Sequence, residues 1–386
     1  DSFITLTATD LHETQGGTSE FSKCSGIDGI TVNSVADGPD SDLSNATCDT
    51  GNLVEDKPEC TLRAAIQTAN GLAGHDVIRF EIPGTGIPVI RPASSLPSVA
   101  ESALIDGATQ GDIVQIDGTS AGEFTSGLVL FAGKSTVKGL AISHFGGSGL
   151  QLTTGDGNLI QNNRIGTNGP GTAAQPNGNG ILIFGSKNNT IKDNLISGNT
   201  GSGVLILDSG ATDNKLLGNL IGTHVDGIHA LGNQGSGVTI RNASNNTVGG
   251  DTSDARNVIS ANGSSGVELS SGGALGNRVL GNFIGVDKDG GCGSGSTVSC
   301  TLGNKVYGVA ILTGAILNGI GGSGAGEGNV ISANLNSGVG LNGAGVASNS
   351  VLGNFIGVDS KGACPVDTGG LCPFGNRVDG VSITFG

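Results

Sequence analysis

A short motif, Gly-[Val/Leu/Ile]-x-[Leu/Ile], recurs through the carboxy-terminal two thirds of the chain. Between its copies lie two segments that open on asparagine, Asn-x-[Ile/Val/Leu] and either Asn-x-Ile-Gly or Asn-Val-Ile-Ser. The glycine motif begins at Gly149, Gly180, Gly203, Gly237, Gly266, Gly308, Gly338 and Gly380. The asparagine motifs begin at Asn189, Asn214, Asn246 and Asn277, and at Asn219, Asn257, Asn282, Asn329 and Asn354. An internal repeat of this kind is typical of a solenoid, whose coils stack on their neighbours.

Each repeat supplies three short apolar segments, which predict three short β-strands per coil. Side chains alternate in and out along a strand, so the coil encloses a narrow interior. Glycine and asparagine between the strands tolerate the left-handed backbone that sharp corners need. Stacked coils pair each strand with its equivalent about 4.8 Å away, and parallel crossovers of this kind are right-handed. The sequence therefore predicts an all-β fold, a right-handed parallel β-helix.

The repeated identities predict how the coils are layered. One interior column is expected to contain Ile165, Ile221, Ile284 and Ile356. One corner of the coil is expected to contain Asn163, Asn219, Asn282 and Asn354. Asparagine side chains at such a corner form amide ladders or hold the turning backbone.

Extra residues follow the Asn-x-Ile-Gly strand in every second coil, and the insertions lengthen along the chain. They span residues 166–179, 222–235, 285–305 and 357–376. We expect loops that project from one edge of the solenoid. Because loops carry many binding functions, this edge is where we expect a partner to bind.

Composition narrows the class of protein. Glycine makes up 72 of 386 residues without a three-residue period, which excludes collagen. A net charge of −15 and a pI near 4.5 disfavour nucleic acids and anionic membrane surfaces, because both require clustered Lys and Arg. The sequence contains no run of 18 apolar residues, so it predicts no membrane-spanning helix. The chain opens at Asp1 without a basic and apolar leader, which we interpret as a mature product or a fragment.

Seven cysteines predict disulfide bonds and an oxidising compartment, since no Cys-x-x-Cys pair or nearby histidine indicates zinc. We expect two pairs to staple the two longest loops: Cys292 with Cys300, and Cys364 with Cys372. The amino-terminal region holds Cys24, Cys48 and Cys60, which leaves one odd cysteine. Cys24 is the odd one, and its pairing with Cys48, with Cys60 or with another chain stays open.

Residues 58–71 predict a short amphipathic helix that stops at Asn70-Gly71. The apolar residues that share one helical face are Leu62, Ala65, Ile66 and Ala69. An open solenoid end exposes unpaired backbone and core, so we expect this helix to be the amino-terminal cap. Arg63 is expected to make a salt bridge or hydrogen bonds within the cap.

The segment Cys60-Thr-Leu-Arg-Ala-Ala-Ile-Gln-Thr-Ala-Asn70 closely resembles the signature of CSLREA-domain proteins and departs from it at Thr61 and Ala64. The flanking segments at residues 30–34 and 76–80 are similar to the family as well. CSLREA-domain proteins are secreted bacterial proteins that often contain right-handed β-helices of the pectin-lyase-like superfamily. The resemblance covers roughly residues 30–386. It implies this fold and an extracellular or cell-surface location, but no particular chemistry.

Three regions follow along the chain. Residues 1–29 form an amino-terminal extension with a possible donated strand. Residues 30–110 form the cap region and the first coils, and residues 111–386 form the β-helix with loops on alternate coils.

The superfamily includes pectate lyases, polygalacturonases and epimerases, so a polysaccharide-active enzyme or a glycan-binding module is the alternative. Lyases of this kind use acidic calcium ligands beside a basic residue, and galacturonases use clustered aspartates with histidine. This chain has no adjacent aspartate pair, and its five histidines lie in unrelated contexts. Aromatic residues, on which sugars usually stack, make up only 3%. We therefore expect no catalytic residues and no cofactor.

Acidic residues on the projecting loops form one weak candidate calcium site. These residues are Asp226, Asp287, Asp289 and Asp359. Carboxylate oxygens are the ligands that Ca²⁺ prefers, and the alternative is that these are solvated turn residues.

Taken together, these features predict a non-catalytic extracellular structural or surface protein, with itself, glycans or a cell surface as partners. A sharper hypothesis is head-to-tail assembly into a filament by β-strand addition. The donated strand would contain Phe3, Ile4 and Leu6. The unfinished last coil that accepts it would contain Val381, Ile383 and Phe385.

Overall fold

A computed structural model describes residues 29–292, 300–364 and 372–384, and it shows the predicted parallel β-helix. Within these residues three parallel sheets run along the solenoid, and each strand pairs with the equivalent strands of the coils on either side. Sheet 1 contains Ile30–Val32, Asp76–Phe80, Ala103–Asp106, Thr136–Lys138, Leu159–Gln161, Thr190–Lys192, Lys215–Leu217, Thr247–Gly249, Arg278–Leu280, Gly319–Gly321 and Ser350–Leu352.

The other two sheets complete each coil. Sheet 2 contains Val89–Ile90, Val114–Asp117, Leu140–Ser143, Arg164–Ile165, Leu195–Ile196, Leu220–Ile221, Val258–Ile259, Phe283–Ile284, Val330–Ile331 and Phe355–Ile356. Sheet 3 contains Leu128–Leu130, Ser148–Thr153, Asn179–Phe184, Val204–Leu207, Val238–Arg241, Val267–Ser270, Val309–Leu312, Val339–Asn342 and Val381–Thr384. The chain visits sheets 1, 2 and 3 in that order, which confirms three strands per coil.

The strand register confirms the predicted isoleucine column and extends it to ten coils of sheet 2. In order along the solenoid it contains Ile90, Ile116, Ile142, Ile165, Ile196, Ile221, Ile259, Ile284, Ile331 and Ile356. The first nine of these side chains are fully buried. The layers between the four isoleucines predicted from sequence are filled by Ile196, from Asn-Leu-Ile-Ser, and by Ile259 and Ile331, from Asn-Val-Ile-Ser.

The glycine motif is explained by close packing against this isoleucine column. The stacked glycines are Gly127, Gly149, Gly180, Gly203, Gly237, Gly266, Gly308, Gly338 and Gly380. A Cβ atom added at Gly237 would lie 2.5 Å from Cγ2 of Ile259 and 2.7 Å from the carbonyl oxygen of Gly266. No side chain fits in that space without a backbone shift, so the position admits only glycine.

Buried asparagines hold all three corners of the coil. Each asparagine except the last of its ladder donates its backbone N–H and its side-chain amide to Oδ1 of the asparagine one coil further along. The predicted corner contains Asn163, Asn194, Asn219, Asn257, Asn282, Asn329 and Asn354. A second ladder contains Asn158, Asn189, Asn214, Asn246, Asn277, Asn318 and Asn349. A third contains Asn177, Asn199, Asn233, Asn262, Asn304, Asn334 and Asn376.

The predicted helix spans Leu62–Gly71, and its predicted apolar face is buried. Thr61 is the N-cap, and its side chain accepts a hydrogen bond from the backbone N–H of Ala64. Arg63 forms a salt bridge with Asp37 at 2.8 Å and donates to the carbonyl oxygen of Ser95, also at 2.8 Å. The segment that contains Ser95 leads into Val99, which bridges to the first strand of sheet 3 through Leu130. The helix therefore packs at the amino-terminal end of the coils, as a cap does.

The remaining elements are short and local. A two-stranded antiparallel hairpin, Leu53–Val54 with Lys57–Pro58, precedes the helix, and 3₁₀ turns span Gly107–Gln110, Gly118–Ser120 and Ser253–Ala255. Within the described residues no helix is both long and apolar enough to cross a membrane. The division at residues 29 and 110 stays a prediction.

Candidate functional site

The long loops follow every second strand of sheet 2, as predicted, but they do not simply project from an edge. Their described parts turn back over the outer face of sheet 2 and stack on one another. The backbone N–H of Val225 donates to the carbonyl oxygen of Gly171, and that of Lys288 to Gly227, each at 3.1 Å. Beneath them lies a second apolar cluster, which contains Val258, Phe283, Val286, Val330 and Phe374. The loops fold back instead of projecting because most outward side chains of sheet 2 are apolar and are more stable when shielded from water.

An outward column of sheet 2 underlies a groove that these loops partly cover, since Leu195, Val258 and Val330 are buried in it. Successive coils contribute Arg164, Leu195, Leu220, Val258, Phe283, Val330 and Phe355. Two cavities open along it. The first, of about 280 Å³, is lined by Arg164, Asp193, Leu195, Leu220 and Val225. The second, of about 600 Å³, is lined by Arg256, Phe283, Lys288, Asp289 and Phe355, with a wall of four glycines.

The second cavity combines cationic and aromatic groups. The guanidinium carbon of Arg256 lies 4.2 Å from the ring centroid of Phe283, and its Nε donates to the carbonyl oxygen of Gly281 at 3.0 Å. Nζ of Lys288 bonds to Asp289 at 2.9 Å, which keeps the pKa of this ammonium above its usual range. Phe355 remains 42% exposed at the floor. A guanidinium beside an apolar ring suits a ligand that carries both acidic and apolar surface.

The structure also brings together a polar group that the sequence did not indicate. Nδ1 of His144 lies 3.0 Å from Oδ1 of Asp117, and Nε of Arg91 lies 3.4 Å from its Oδ2. Burial raises the pKa of Asp117, but hydrogen bonds from Thr119 and the contact with His144 outweigh it and hold the pKa below its usual range. The histidine lines a shallow cavity of about 390 Å³ with Thr119 and Thr200. The sequence did contain one signal for this contact, because Asp117 and His144 lie about one coil apart along the chain. In the structure Asp117 pairs with Ser143, the residue before His144.

The predicted calcium ligands lie in the turns of three different loops. Oδ1 of Asp226, Asp287 and Asp359 accepts hydrogen bonds from backbone N–H groups of its own turn. Asp289 pairs with Lys288. Over the described ranges, these four aspartates do not form one cluster of metal-ligating atoms. Calcium binding by them stays a prediction.

Three cysteine pairs are bonded. Cys48 joins Cys60, Cys292 joins Cys300 and Cys364 joins Cys372, with Cα–Cα distances of 5.3, 4.5 and 5.6 Å. Of the alternatives left open for Cys24, a bond to Cys48 or to Cys60 is excluded, because these two are bonded to each other. Cys24 itself lies outside the described residues. Disulfides of this kind belong to an oxidising compartment, extracellular or periplasmic.

The proposed assembly residues are only partly described. Val381 and Ile383 lie on the last strand of sheet 3 and are 43% and 57% exposed. Phe3, Ile4, Leu6 and Phe385 lie outside the described residues. Head-to-tail assembly stays a prediction.

Fold and loops together define a right-handed parallel β-helix protein with a loop-covered sheet. A family model described as a right handed beta helix region matches residues 107–221, and one described as periplasmic copper-binding protein (NosD) matches residues 171–289. No match was found among curated proteins. Neither family match reaches residues 60–70, so the resemblance to CSLREA-domain proteins stays a prediction.

Several solved structures are similar at low sequence identity. The periplasmic alginate epimerase AlgG is 14% identical with a TM-score of 0.39, over 80% of this chain and 78% of that chain. The mannuronan C-5 epimerase AlgE4 A-module of Azotobacter vinelandii is 14% identical with a TM-score of 0.41, over 84% and 93%. The ORF18 protein of Geobacillus virus E2 is 12% identical with a TM-score of 0.43, over 83% and 60%.

Proposed function

We propose that this chain is a non-catalytic surface protein of the extracellular or periplasmic space that binds an acidic polysaccharide along the groove on sheet 2. The observation that carries the proposal is the cavity where Arg256 stacks on Phe283 beside Lys288 and exposed Phe355.

The shape of the groove suits an extended polymer. The outward column beneath it runs over seven successive coils, from Arg164 to Phe355, and six steps of about 4.8 Å give about 29 Å. The two cavities open towards the two ends of this column. A small metabolite would need a closed pocket that buries most of its surface. The groove instead opens at two separate cavities, and a polymer is long enough to contact both.

The chemistry of the groove favours acidic sugars. A guanidinium binds a carboxylate through two parallel hydrogen bonds, and Arg256 has no carboxylate partner among the described residues. Phe355 offers an apolar ring to a sugar face. The chain as a whole carries a charge of −15 and Lys288 is paired with Asp289, so Arg256 is the group of this cavity that attracts an acidic ligand.

Affinity electrophoresis and calorimetry with alginate, polygalacturonate and neutral dextran test the proposal. We expect the two polyuronates to bind and dextran not to bind. Arg256→Gln should weaken binding about 10-fold or more, because a hydrogen bond to a charged group contributes about 1.5–3 kcal/mol. The matched control is Arg241→Gln, which removes the same charge from the outer face of sheet 3. Equal binding by Arg256→Gln and wild type, or equal binding of dextran, would refute the proposal.

A second candidate function is polysaccharide cleavage or epimerisation, which the Asp117–His144–Arg91 group favours. A carboxylate that orients a histidine is the arrangement that general-base catalysis uses. The same polyuronates should therefore be incubated with wild type and His144→Ala and analysed for chain cleavage and for altered uronate composition. Turnover by wild type that His144→Ala abolishes would replace the non-catalytic proposal with this one.

A further inference from the structure

The loop at residues 222–235 carries two histidines and an aspartate within six residues, His224-Val-Asp-Gly-Ile-His229. His224, Asp226 and His229 each offer one ligand atom, and these atoms all lie within 4.8 Å of one another. Across the described ranges, no other group of three metal-ligating side chains comes this close together.

The backbone of the loop places the two imidazoles side by side. The N–H of His224 donates to the carbonyl oxygen of His229 at 2.8 Å, and Thr223 bridges to Ala230 in the same antiparallel turn. The ring centroids lie 5.6 Å apart with an interplanar angle of 42°. Two imidazoles that share a tetrahedral Zn²⁺, with Zn–N bonds of about 2.0–2.1 Å, have ring centroids about 5 Å apart. The observed separation is therefore close to that of a bound pair.

Asp226 supplies the negative charge of the cluster. Its Oδ1 accepts from the backbone N–H groups of Ile228 and His229, at 2.9 and 3.2 Å, and its Oδ2 lies 2.7 Å from Nδ1 of His229. Although burial raises the pKa of this carboxyl, these hydrogen bonds lower it to about 2. The backbone bonds fix the orientation of the carboxylate, as outer contacts of metal ligands do.

The other loops form the same kind of turn without histidines. The position of His224 is occupied by Asn168, Asp287 and Asp359 in the loops before and after, where the side-chain oxygen caps the turn. In this loop Asp226 takes over the capping, two residues later. The histidines are therefore not needed for the turn itself.

One neighbouring cation must also be considered. The backbone N–H of Lys288 donates to the carbonyl oxygen of Gly227, so the lysine packs against this loop. Its ammonium is bonded to both carboxylate oxygens of Asp289, at 3.0 and 2.9 Å. This ion pair reduces the repulsion that a bound cation would meet.

We propose that His224, Asp226 and His229 bind one divalent transition-metal ion, Zn²⁺ or Cu²⁺, at the outer edge of the solenoid. Two imidazoles and one carboxylate suit these ions, whereas Ca²⁺ and Mg²⁺ prefer oxygen ligands throughout. A tetrahedral ion draws its ligand atoms to about 3.3 Å from one another, which rotations of half-buried His224 and exposed Asp226 and His229 would achieve. Water completes the coordination shell.

Isothermal titration of the metal-free, untagged chain with Zn²⁺, Cu²⁺ and Ca²⁺ tests the site. We expect one equivalent of Zn²⁺ or Cu²⁺ to bind and no competition from Ca²⁺. His224→Asn installs the residue that Asn168 provides in the first loop, so the turn should still form. This variant, Asp226→Asn and His229→Asn should each lower the affinity at least tenfold.

The matched control is His75→Asn, which removes an exposed histidine near the amino-terminal cap. It should leave the affinity unchanged, and circular dichroism should show that all variants are folded. The electron paramagnetic resonance spectrum of the Cu²⁺ complex should show two nitrogen ligands. Unchanged stoichiometry and affinity in the double variant His224→Asn/His229→Asn, or no binding of Zn²⁺ and Cu²⁺ by wild type, would overturn the proposal.

Discussion

The asparagine ladders predict that a side-chain amide in mid-solenoid contributes more to the free energy of unfolding than the same amide in the last coil. Asn219 is fully buried. Its Oδ1 accepts from the backbone N–H and the side-chain amide of Asn194, each at 3.0 Å. Its own side-chain amide donates to the carbonyl oxygen of Ile191 at 2.8 Å and to Oδ1 of Asn257 at 2.9 Å. Asn219→Ala removes all four bonds. The strands cannot shift to compensate, because coils pack above and below.

The expected cost follows from the groups that lose their partner. Two donors of Asn194, the backbone N–H and one side-chain N–H, become unsatisfied in a dry interior. Each buried unsatisfied donor costs about 1–3 kcal/mol, so Asn219→Ala should lower the free energy of unfolding by about 2–6 kcal/mol. Oδ1 of Asn257 keeps the hydrogen bond from the backbone N–H of residue 219, so the loss of its second donor adds little to this cost.

Asn354 provides the matched control because it fills the same place in the last layer of this ladder. Its Oδ1 accepts the same two hydrogen bonds, from Asn329, and its amide donates to the carbonyl oxygen of Ile320. Asn354 is only partly buried, so water can replace the lost partner. Asn354→Ala should therefore cost about 0.5–1.5 kcal/mol.

Urea unfolding followed by circular dichroism measures both variants, and amide hydrogen exchange locates the loss. Solenoid coils interact mainly with their neighbours, so exchange should increase most in Thr190–Lys192, Leu195–Ile196 and the adjoining coils. Equal costs for the two variants, or a cost below about 1 kcal/mol for Asn219→Ala, would show that the ladder does not stabilise the corners as argued.

Two further predictions concern the ends of the chain. Hydrogen bonds from Thr50 and Ser34 lower the pKa of buried Glu59 below its unfolded value of about 4.5. These bonds therefore stabilise the fold above pH 4.5, and this stabilisation is lost as the pH falls through the lowered folded pKa. The urea midpoint of Glu59→Gln should thus fall below that of wild type at neutral pH and converge with it in acid; a constant difference would contradict this. The strand-addition hypothesis predicts that deletion of residues 1–29 leaves monomers in negative-stain microscopy, and filaments formed by the truncated chain would exclude it.

Local repetition explains why the fold could be predicted. The four isoleucines identified from sequence lie in one interior column, three of them fully buried, because equivalent positions of successive coils must superimpose. The helix face of Leu62, Ala65, Ile66 and Ala69 is buried for a similar reason, since its spacing alone decides which side packs. Both inferences need only the period of the pattern, which the sequence shows directly.

Contacts between coils explain what could not be predicted. His144 meets Asp117 across 27 residues, and Arg256 meets Phe283 by the same distance in sequence. Whether such residues touch depends on the length of every turn between them, because one residue more or less changes the outward neighbour. The third asparagine ladder did carry a signal in the sequence, since Asn199, Asn233 and Asn262 each lie four residues before the glycine that opens a sheet 3 motif.

The division between interior and exterior also determines where function can lie in this molecule. Inside, glycine, isoleucine and asparagine columns are fixed by contacts from both neighbouring coils, as Gly237 shows with atoms 2.5–2.8 Å from an added Cβ. A chemically active side chain placed there would break contacts in three coils at once. Outward positions and loops carry no such restraint, so successive coils can differ there, as Asn168, His224, Asp287 and Asp359 do at one loop position. The groove, the Asp117–His144 pair and the His224 cluster all lie on this variable exterior. Experiments on function should therefore begin with the coils whose outward residues differ from those of the repeat.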